Sequence, residues 1–237
     1  MATERDVTTL DFESKTAEEL VEFALTTWGD GLRIACGFTL EDVVILHLAT
    51  RKGARPHVFC VDTGRHFEQT FQAADLVRKA LGIDVQWVFP DPKKLVPLLM
   101  RDGASPMATN EPARRRCCDA RRFDPLTRAL NGAAGWISGA RRAHTTARTK
   151  LPKVSIDEEH GWIAKVAPLA DWKWADVIKY VTENRLPVNP LFRQGYSSVG
   201  CAPCTRPITA GEPERAGRWA FEPAESRERG LHMSGRF

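Results

Sequence analysis

The sequence has no run of about 18 apolar residues, so it lacks the pattern of a membrane-spanning helix. Its first ten residues are polar and include Glu4 and Asp6, unlike the apolar centre of a secretory signal peptide. These two absences predict a cytoplasmic protein, in which thiols stay reduced. We therefore expect its six cysteines to bind metal or take part in catalysis rather than to form disulfides.

Acidic residues are scarce in one basic stretch of the chain. The net charge is only +4 over 237 residues, but residues 114–150 contain ten Lys or Arg and two acids, Asp119 and Asp124. Arginine dominates this stretch and binds phosphate or sulfate through paired hydrogen bonds. An anionic ligand and a solvated charged face are therefore equally good interpretations. Few aromatic residues accompany the charges, so a nucleic-acid partner is not expected.

Strand-like and helix-like segments alternate along the chain. The spacing of apolar residues predicts helices at residues 17–28, 41–48, 67–80, 93–99, 117–130 and 174–183. Apolar strands are predicted at residues 33–36, 57–61, 85–89, 135–138 and 163–166. This alternation predicts an α/β fold with a doubly wound, mostly parallel sheet, in which ligands bind beyond the carboxyl ends of the strands. Residues 140–150 are polar, basic and aperiodic, and we expect a mobile loop there.

The last part of the chain differs in composition. Residues 189–237 show little periodicity, are rich in proline and glycine, and contain too few apolar residues for a core of their own. We therefore predict an α/β nucleotide-binding domain at residues 1–188 and an irregular C-terminal segment at residues 189–237 that packs against it.

Four cysteines form two pairs that suit one metal site. Cys117 and Cys118 are adjacent in a dense block of arginines, and Cys201 and Cys204 are separated by two residues. Four soft thiolates without a nearby histidine fit either zinc or a 4Fe–4S cluster, and the residues alone leave both open. The remaining thiols, Cys36 and Cys60, lie at the ends of apolar strands and are expected in the core.

Three turns follow predicted strands and are expected to share a pocket. Residues 37–42 form a strand-to-helix junction whose backbone N–H groups could bind an anion. Residues 62–64, Asp-Thr-Gly, could bind a ribose or an adenine edge, or merely cap the next helix. Residues 139–142 form the third turn. All three fall at carboxyl ends of strands, where ligands of such sheets bind.

These motifs together resemble the assimilatory sulfonucleotide reductases, which act on adenylyl sulfate (APS) or phosphoadenylyl sulfate (PAPS). The resemblance spans about residues 32–230 and is carried by residues 38–42, 61–65, 117–118, 121–122, 125–126, 139–142, 168–172, 189–191, 194–196, 200–206 and 215–219. The four cysteines resemble the branch that carries a 4Fe–4S cluster and mostly prefers APS, which favours iron–sulfur over zinc.

The resemblance implies a fold, a reaction and a site. The fold would be adenine-nucleotide alpha-hydrolase-like with a modified PP-loop, and the reaction thioredoxin-dependent reduction of APS to sulfite and AMP in sulfate assimilation and cysteine biosynthesis. Its partners would be APS or PAPS, thioredoxin and further copies of the chain in a homo-oligomer. The implied cluster ligands are Cys117, Cys118, Cys201 and Cys204. The implied substrate-binding residues are Gly37, Phe38, Thr39, Asp42, Asp62, Thr63, Gly64, Arg122, Gly139, Arg142, Arg215 and Arg218.

The tail departs from the family pattern at its key residue. The family's Glu-Cys-Gly-Leu/Ile-His reads Glu-Arg-Gly-Leu-His at residues 228–232, so Arg229 replaces the cysteine that attacks sulfur, and no cysteine follows Cys204. A guanidinium stays protonated and cannot attack, and loss of a nucleophile normally removes nearly all of the chemistry. No catalytic residue is therefore assigned. Gly37 also replaces a serine, and Arg122 a lysine.

Three interpretations follow from this departure. The chain is a reductase stopped before chemistry by Arg229, a diverged relative that binds a sulfonucleotide or related adenylate without reducing it, or a metal-stapled protein that binds protein or RNA. The intact motifs favour the first two. Cys60 is a poor substitute nucleophile, because a thiol packed at the end of a core strand lacks the exposure that exchange with thioredoxin needs.

Overall fold

The computed structural model of the chain describes residues 11–51 and 53–223. The tail motif at residues 228–232, and Arg229 with it, lies outside the described residues. The strands are β1 Leu32–Ala35, β2 His57–Val61, β3 Val85–Val88, β4 Gly135–Ile137, β5 Val154–Asp157 and β6 Ile163–Val166. The helices are α1 Ala17–Trp28, α2 Leu40–Arg51, α3 Glu68–Leu81, α4 Pro92–Asp102, α5 Glu111–Cys118, α6 Asp124–Leu130 and α7 Trp174–Glu183.

The strands form one sheet in the order β3-β2-β1-β4-β6-β5. Neighbouring strands are parallel except β5, which pairs antiparallel with β6 at the edge. The predicted fold class is therefore confirmed, although strand β5 was not predicted. None of the helices that the structure describes has the length and apolar character needed to span a bilayer.

Apolar side chains cover both faces of the sheet, as expected for central parallel strands. One face packs against α1, α2, α3 and α7 in the main core, where Leu20, Ile34 and Val44 are fully buried. The opposite face packs mainly against α6. Because β1 pairs in parallel with both β2 and β4, the carboxyl ends of these three strands lie side by side at one edge of the sheet.

Local signals set several helix ends where the sequence predicts them. Thr16 caps α1, its Oγ1 accepting from the Glu19 N–H at 3.2 Å while Glu19 Oε2 accepts from the Thr16 N–H at 2.8 Å. Gly82 closes α3 in the left-handed conformation, with φ of 62°. A single π turn, Asp119–Phe123, joins α5 to α6 and so continues the predicted helix past the cysteines.

Residues 140–150, where a mobile loop is expected, contain local structure and buried side chains. They fold into two 3₁₀ turns, Arg142–His144 and Thr146–Arg148, and the side chains of Arg141 and Arg148 are 0% and 5% exposed. The reason is that Arg141 pairs with the buried carboxylate of Glu41. Residues 189–223 contain two 3₁₀ turns, Pro190–Gln194 and Ala202–Cys204, and pack on the sheet domain through contacts such as the Ala202 N–H to the Arg65 carbonyl at 2.7 Å. The domain division at residue 188 stays a prediction.

Candidate functional site

A cavity lies beyond the carboxyl ends of β1, β2 and β4, where the three predicted turns meet the C-terminal segment. The predicted site residues that line it are Gly37, Phe38, Thr39, Asp42, Thr63, Arg122, Gly139, Arg215 and Arg218. Gly139 is required by close approach, since a Cβ there would lie 2.8 Å from both Asp42 Oδ1 and Glu41 Cβ. The structure thus brings together most of the predicted substrate-binding residues.

The inner wall of the cavity is apolar with one polar group. Ala35, Phe59 and Val61 line it from β1 and β2, and Ala35 stands directly opposite Phe59 in the parallel register. Ser138, which follows β4, also lines the cavity, and its buried Oγ has no hydrogen-bond partner within residues 11–51 and 53–223. An apolar wall that carries such an unsatisfied buried polar atom suits a heterocyclic base.

Guanidinium groups also line the cavity. They belong to Arg122, Arg148, Arg215 and Arg218. In the described part of the chain, neither Arg122 nor Arg218 forms an ion pair, although Arg218 is only 5% exposed. Burial, and then the charge of Arg218, lower the pKa of Arg122. Cations that are buried or partly buried, with no carboxylate partner in the described part of the chain, are expected to bind an anionic ligand.

The turn after β1 binds an anion of its own. The N–H groups of Gly37 and Thr39 donate to Asp42 Oδ2 at 2.8 and 3.1 Å. Burial raises the pKa of Asp42 to about 6. A side-chain carboxylate therefore already accepts from two of the backbone N–H groups that are expected to cradle the ligand, and the role of this turn in ligand binding stays a prediction. The arginines that line the cavity are further candidate donors.

Three predicted site residues do not line the cavity. Asp62 Oδ1 accepts from the Gly64 N–H at 2.8 Å, so both residues shape the turn that presents Thr63. Arg142 donates to the Leu151 carbonyl at 2.8 Å and to Glu13 at 2.5 Å. The structure therefore places Arg142 outside the cavity. The neighbouring Arg141 points into the protein interior, where it binds Glu41 and Glu214.

The four predicted metal ligands meet beside the cavity. Cys117 and Cys118 from the end of α5 and Cys201 and Cys204 from the C-terminal segment belong to one packed cluster. Burial raises the pKa of Cys117 to about 11 and that of Cys204 to about 12. Cys201 also lines the cavity, with its Sγ 3.2 Å from Thr63 Oγ1.

The donor chemistry of this thiol cluster suits an iron–sulfur centre or zinc, as four thiolates beside several arginines do. Arg114 Nη1 lies 3.9 Å from Cys118 Sγ and would offset negative charge there. Among the described residues, however, no group of three or more His, Cys, Asp or Glu side chains is arranged so that it could hold a metal ion. The 4Fe–4S assignment therefore stays a prediction.

Sequence reasoning missed several residues of the cavity wall. They are Glu41, His66, Ser138, His144, Arg148, Asn189, Ser197 and Ser198. Arg148 belongs to the basic run that pointed to an anionic ligand, but its position was assigned to a mobile loop. Nothing in the local sequence around His144 distinguishes it from a surface histidine, because its partner Glu41 is 103 residues away.

Comparison with known proteins places this architecture in a family. The phosphoadenosine phosphosulfate reductase domain matches residues 31–207. Adenosine 5'-phosphosulfate reductase of Allochromatium vinosum is 37% identical over 203 residues, covering 86% of this chain and 79% of that protein. The protein of the same name from Streptomyces coelicolor is 37% identical over 222 residues, covering 94% and 90%. The crystal structure of phosphoadenylyl-sulfate reductase from Candida auris, a phosphate complex, superposes with a TM-score of 0.72 at 24% identity, covering 87% of this chain and 98% of that one. The chain therefore belongs to the APS and PAPS reductase family, as its motifs predicted.

Proposed function

We propose that the cavity binds a sulfonucleotide, and adenylyl sulfate in particular. The observation that carries the proposal is a pair of guanidiniums, that of the buried Arg218 and that of the partly buried Arg122, which form no ion pair among the described residues and line the same cavity as an apolar wall. The base would lie against Ala35 and Phe59, and the phosphosulfate would accept hydrogen bonds from the arginines. The reductases named among the relatives support this choice of ligand.

The thiol cluster would hold a 4Fe–4S cofactor next to this ligand. Cys117, Cys118, Cys201 and Cys204 would be its ligands, and the cofactor would supply a charged, polarisable group near the phosphosulfate end. Cys201, one of the four thiols, lines the cavity, and Arg122 lines it too and lies near Cys118 and Cys201. These two residues would therefore connect the cofactor site with the ligand site.

The family reaction is the thioredoxin-dependent reduction of APS. A thiolate attacks the sulfate sulfur, the sulfur–oxygen bond to phosphate breaks, and AMP leaves with the electron pair. The resulting enzyme-bound S-sulfonate is released as sulfite by the two thiols of thioredoxin, which become a disulfide. The arginines would stabilise the charge that develops on the departing phosphate. Without a tail thiol at residue 229, the chain as written binds APS but does not complete this reaction.

The replacement of cysteine by Arg229 also favours a second candidate function. A diverged relative would use the same cavity to bind a sulfonucleotide or a related adenylate without reducing it. The two candidates differ in what remains of the site once a thiol is restored, because only a reductase retains the geometry that aligns the sulfur for attack.

The experiment compares the parent chain with Arg229→Cys and with Arg229→Ser as the matched control. We expect all three to bind APS, and only the cysteine variant to release sulfite with thioredoxin. If Arg229→Cys binds APS and stays inert, the chain is the non-reductive relative, with Gly37 the first position to examine. If no variant binds APS, the proposal is wrong.

A further inference from the structure

A buried polar network connects the turn after β4 to the C-terminal segment. At its centre, Arg141 is fully buried and donates from Nε to Glu41 Oε1 at 2.8 Å and from Nη2 to Glu214 Oε2 at 2.5 Å. Its guanidinium also lies over the Trp174 ring, 5.5 Å from the centroid. Arg141 therefore ties together helix α2, helix α7 and the segment that precedes Arg215.

Glu214 links Arg141 to the cavity. Its backbone carbonyl accepts from Ser197 Oγ at 2.5 Å, and Ser197 lines the cavity. The next residue is Arg215, whose carbonyl accepts from the Arg218 N–H at 2.9 Å in a tight turn. Because these bonds leave the turn little freedom, the position of Glu214 sets where Arg215 and Arg218 enter the cavity.

The other end of the network reaches a third cavity arginine. Glu41 Oε1 lies 3.0 Å from His144 Nε2, and His144 Nδ1 lies 3.3 Å from Arg148 Nη1. With the proton on Nε2, His144 donates to Glu41 and accepts from Arg148. Burial raises the pKa of Glu41, but the hydrogen bond and charge of His144 and the charge of Arg141 outweigh it and bring the pKa to about 2.

The balance of charge explains how this network can be buried. The two carboxylates, Glu41 and Glu214, both bind Arg141, and the guanidinium of Arg148 contacts His144, so each charge removed from water gains a hydrogen-bonded partner. Such networks add little net stability, but they favour one arrangement of their members over others. The effect of this network is therefore to fix positions, and the positions that it fixes are those of the cavity arginines.

We propose that Arg141 is a positioning residue, which through Glu214 holds residues 214–218 so that Arg215 and Arg218 face the anionic group of the ligand. This inference rests on the proposed function, since it needs a ligand with a phosphate in the cavity. Arg141 would thus contribute to ligand binding without lining the cavity itself.

The test compares Glu214→Ala with Glu212→Ala. Glu212 lies two residues earlier and pairs with Arg206 at the surface, so its loss makes the same change in charge without touching the network. Titration calorimetry with AMP and with adenosine separates phosphate recognition from base recognition. We expect Glu214→Ala to weaken AMP about tenfold or more, the cost of misplacing one charge-assisted hydrogen bond. Adenosine affinity should stay the same, and Glu212→Ala should bind both ligands as the parent does.

A ligand-free measurement accompanies the titrations. Hydrogen exchange at the Ala216 and Arg218 amides should be faster in Glu214→Ala than in Glu212→Ala. Glu214→Ala is a better test than Arg141→Met, because it disturbs the buried network less. The Glu214 side chain is 23% exposed, and its loss leaves Arg141 paired with Glu41. Equal losses for AMP and adenosine, or AMP affinity and exchange that match the parent, would overturn the positioning role. A parent chain that binds neither ligand would contradict the proposed function, while exchange would still judge the role of Arg141 in ordering the segment.

Discussion

Gly200 sits where any side chain would displace a cavity arginine. A Cβ at this position would lie 2.0 Å from Arg218 Nη1 and 2.3 Å from Cζ. The backbone of Gly200 is not among the left-handed glycines, so its conformation suits alanine and the close contact is with Arg218. We therefore predict that Gly200→Ala leaves the fold intact and moves the guanidinium of Arg218.

The size of the effect follows from the contact. Non-bonded atoms are comfortable at about 3.5 Å, so the guanidinium must shift by about 1.5 Å, which is enough to break a hydrogen bond to the ligand. Loss of one charge-assisted hydrogen bond costs about 1.5–3 kcal/mol, or about tenfold to 150-fold in AMP affinity. The free energy of unfolding should fall by only about 1 kcal/mol, because the far end of a side chain can yield.

A double-mutant cycle identifies the cause. Calorimetry would give AMP and adenosine affinities for the parent, Gly200→Ala, Arg218→Ala and the double variant. If the methyl acts by displacing Arg218, it should cost nothing further once Arg218 is alanine. The methyl group does not act through Arg218 if the fold-losses in AMP affinity of Gly200→Ala and Arg218→Ala multiply in the double variant, or if adenosine affinity falls as much as AMP affinity.

Three further predictions address other parts of the site. Burial raises the pKa of Asp42 to about 6, so ionisation of its carboxylate lowers the free energy of unfolding as pH rises from about 4 to about 6. Asp42→Asn should remove up to about 3 kcal/mol of this loss, measured by urea unfolding. Parallel pH profiles of the unfolding free energy for the parent and the variant would contradict the prediction. Cys204→Ser should abolish bound iron and visible absorbance while Cys36→Ala keeps both, and a colourless parent that contains zinc would exclude the iron–sulfur assignment. Arg142→Ala should leave AMP affinity unchanged in titration calorimetry, because its guanidinium binds Glu13 outside the cavity, whereas Arg122→Ala should lower it at least about tenfold; equal losses would restore Arg142 to the site.

Elements with local signals could be predicted from the sequence. The capping residues of α1, the apolar run of β2 and the amphipathic pattern of α7 gave these elements the bounds that the structure has, Ala17–Trp28, His57–Val61 and Trp174–Glu183. Strand β5 was missed because it is a partly exposed edge strand that, among the residues the structure describes, pairs with β6 alone. Its existence depends on that pairing and not on its own residues.

The candidate site divides in the same way. The turns at the strand ends and the two cysteine pairs carry their own motifs, so their convergence could be predicted. Which of two adjacent arginines turns inward could not, because Arg141 is selected by carboxylates 100 and 73 residues away. Asp42 lines the cavity as expected, but its bonds to the turn could not be predicted, because they depend on the folded geometry of residues 37–42.

We propose that the cavity is an intact sulfonucleotide pocket that lacks its nucleophile. The most direct test is sulfite release from radiolabelled APS by the chain as written, with thioredoxin present and APS binding recorded on the same sample. We expect saturable APS binding without sulfite above background. Sulfite release by this chain would contradict it, because another thiol would then be attacking the sulfate sulfur in place of the missing tail cysteine.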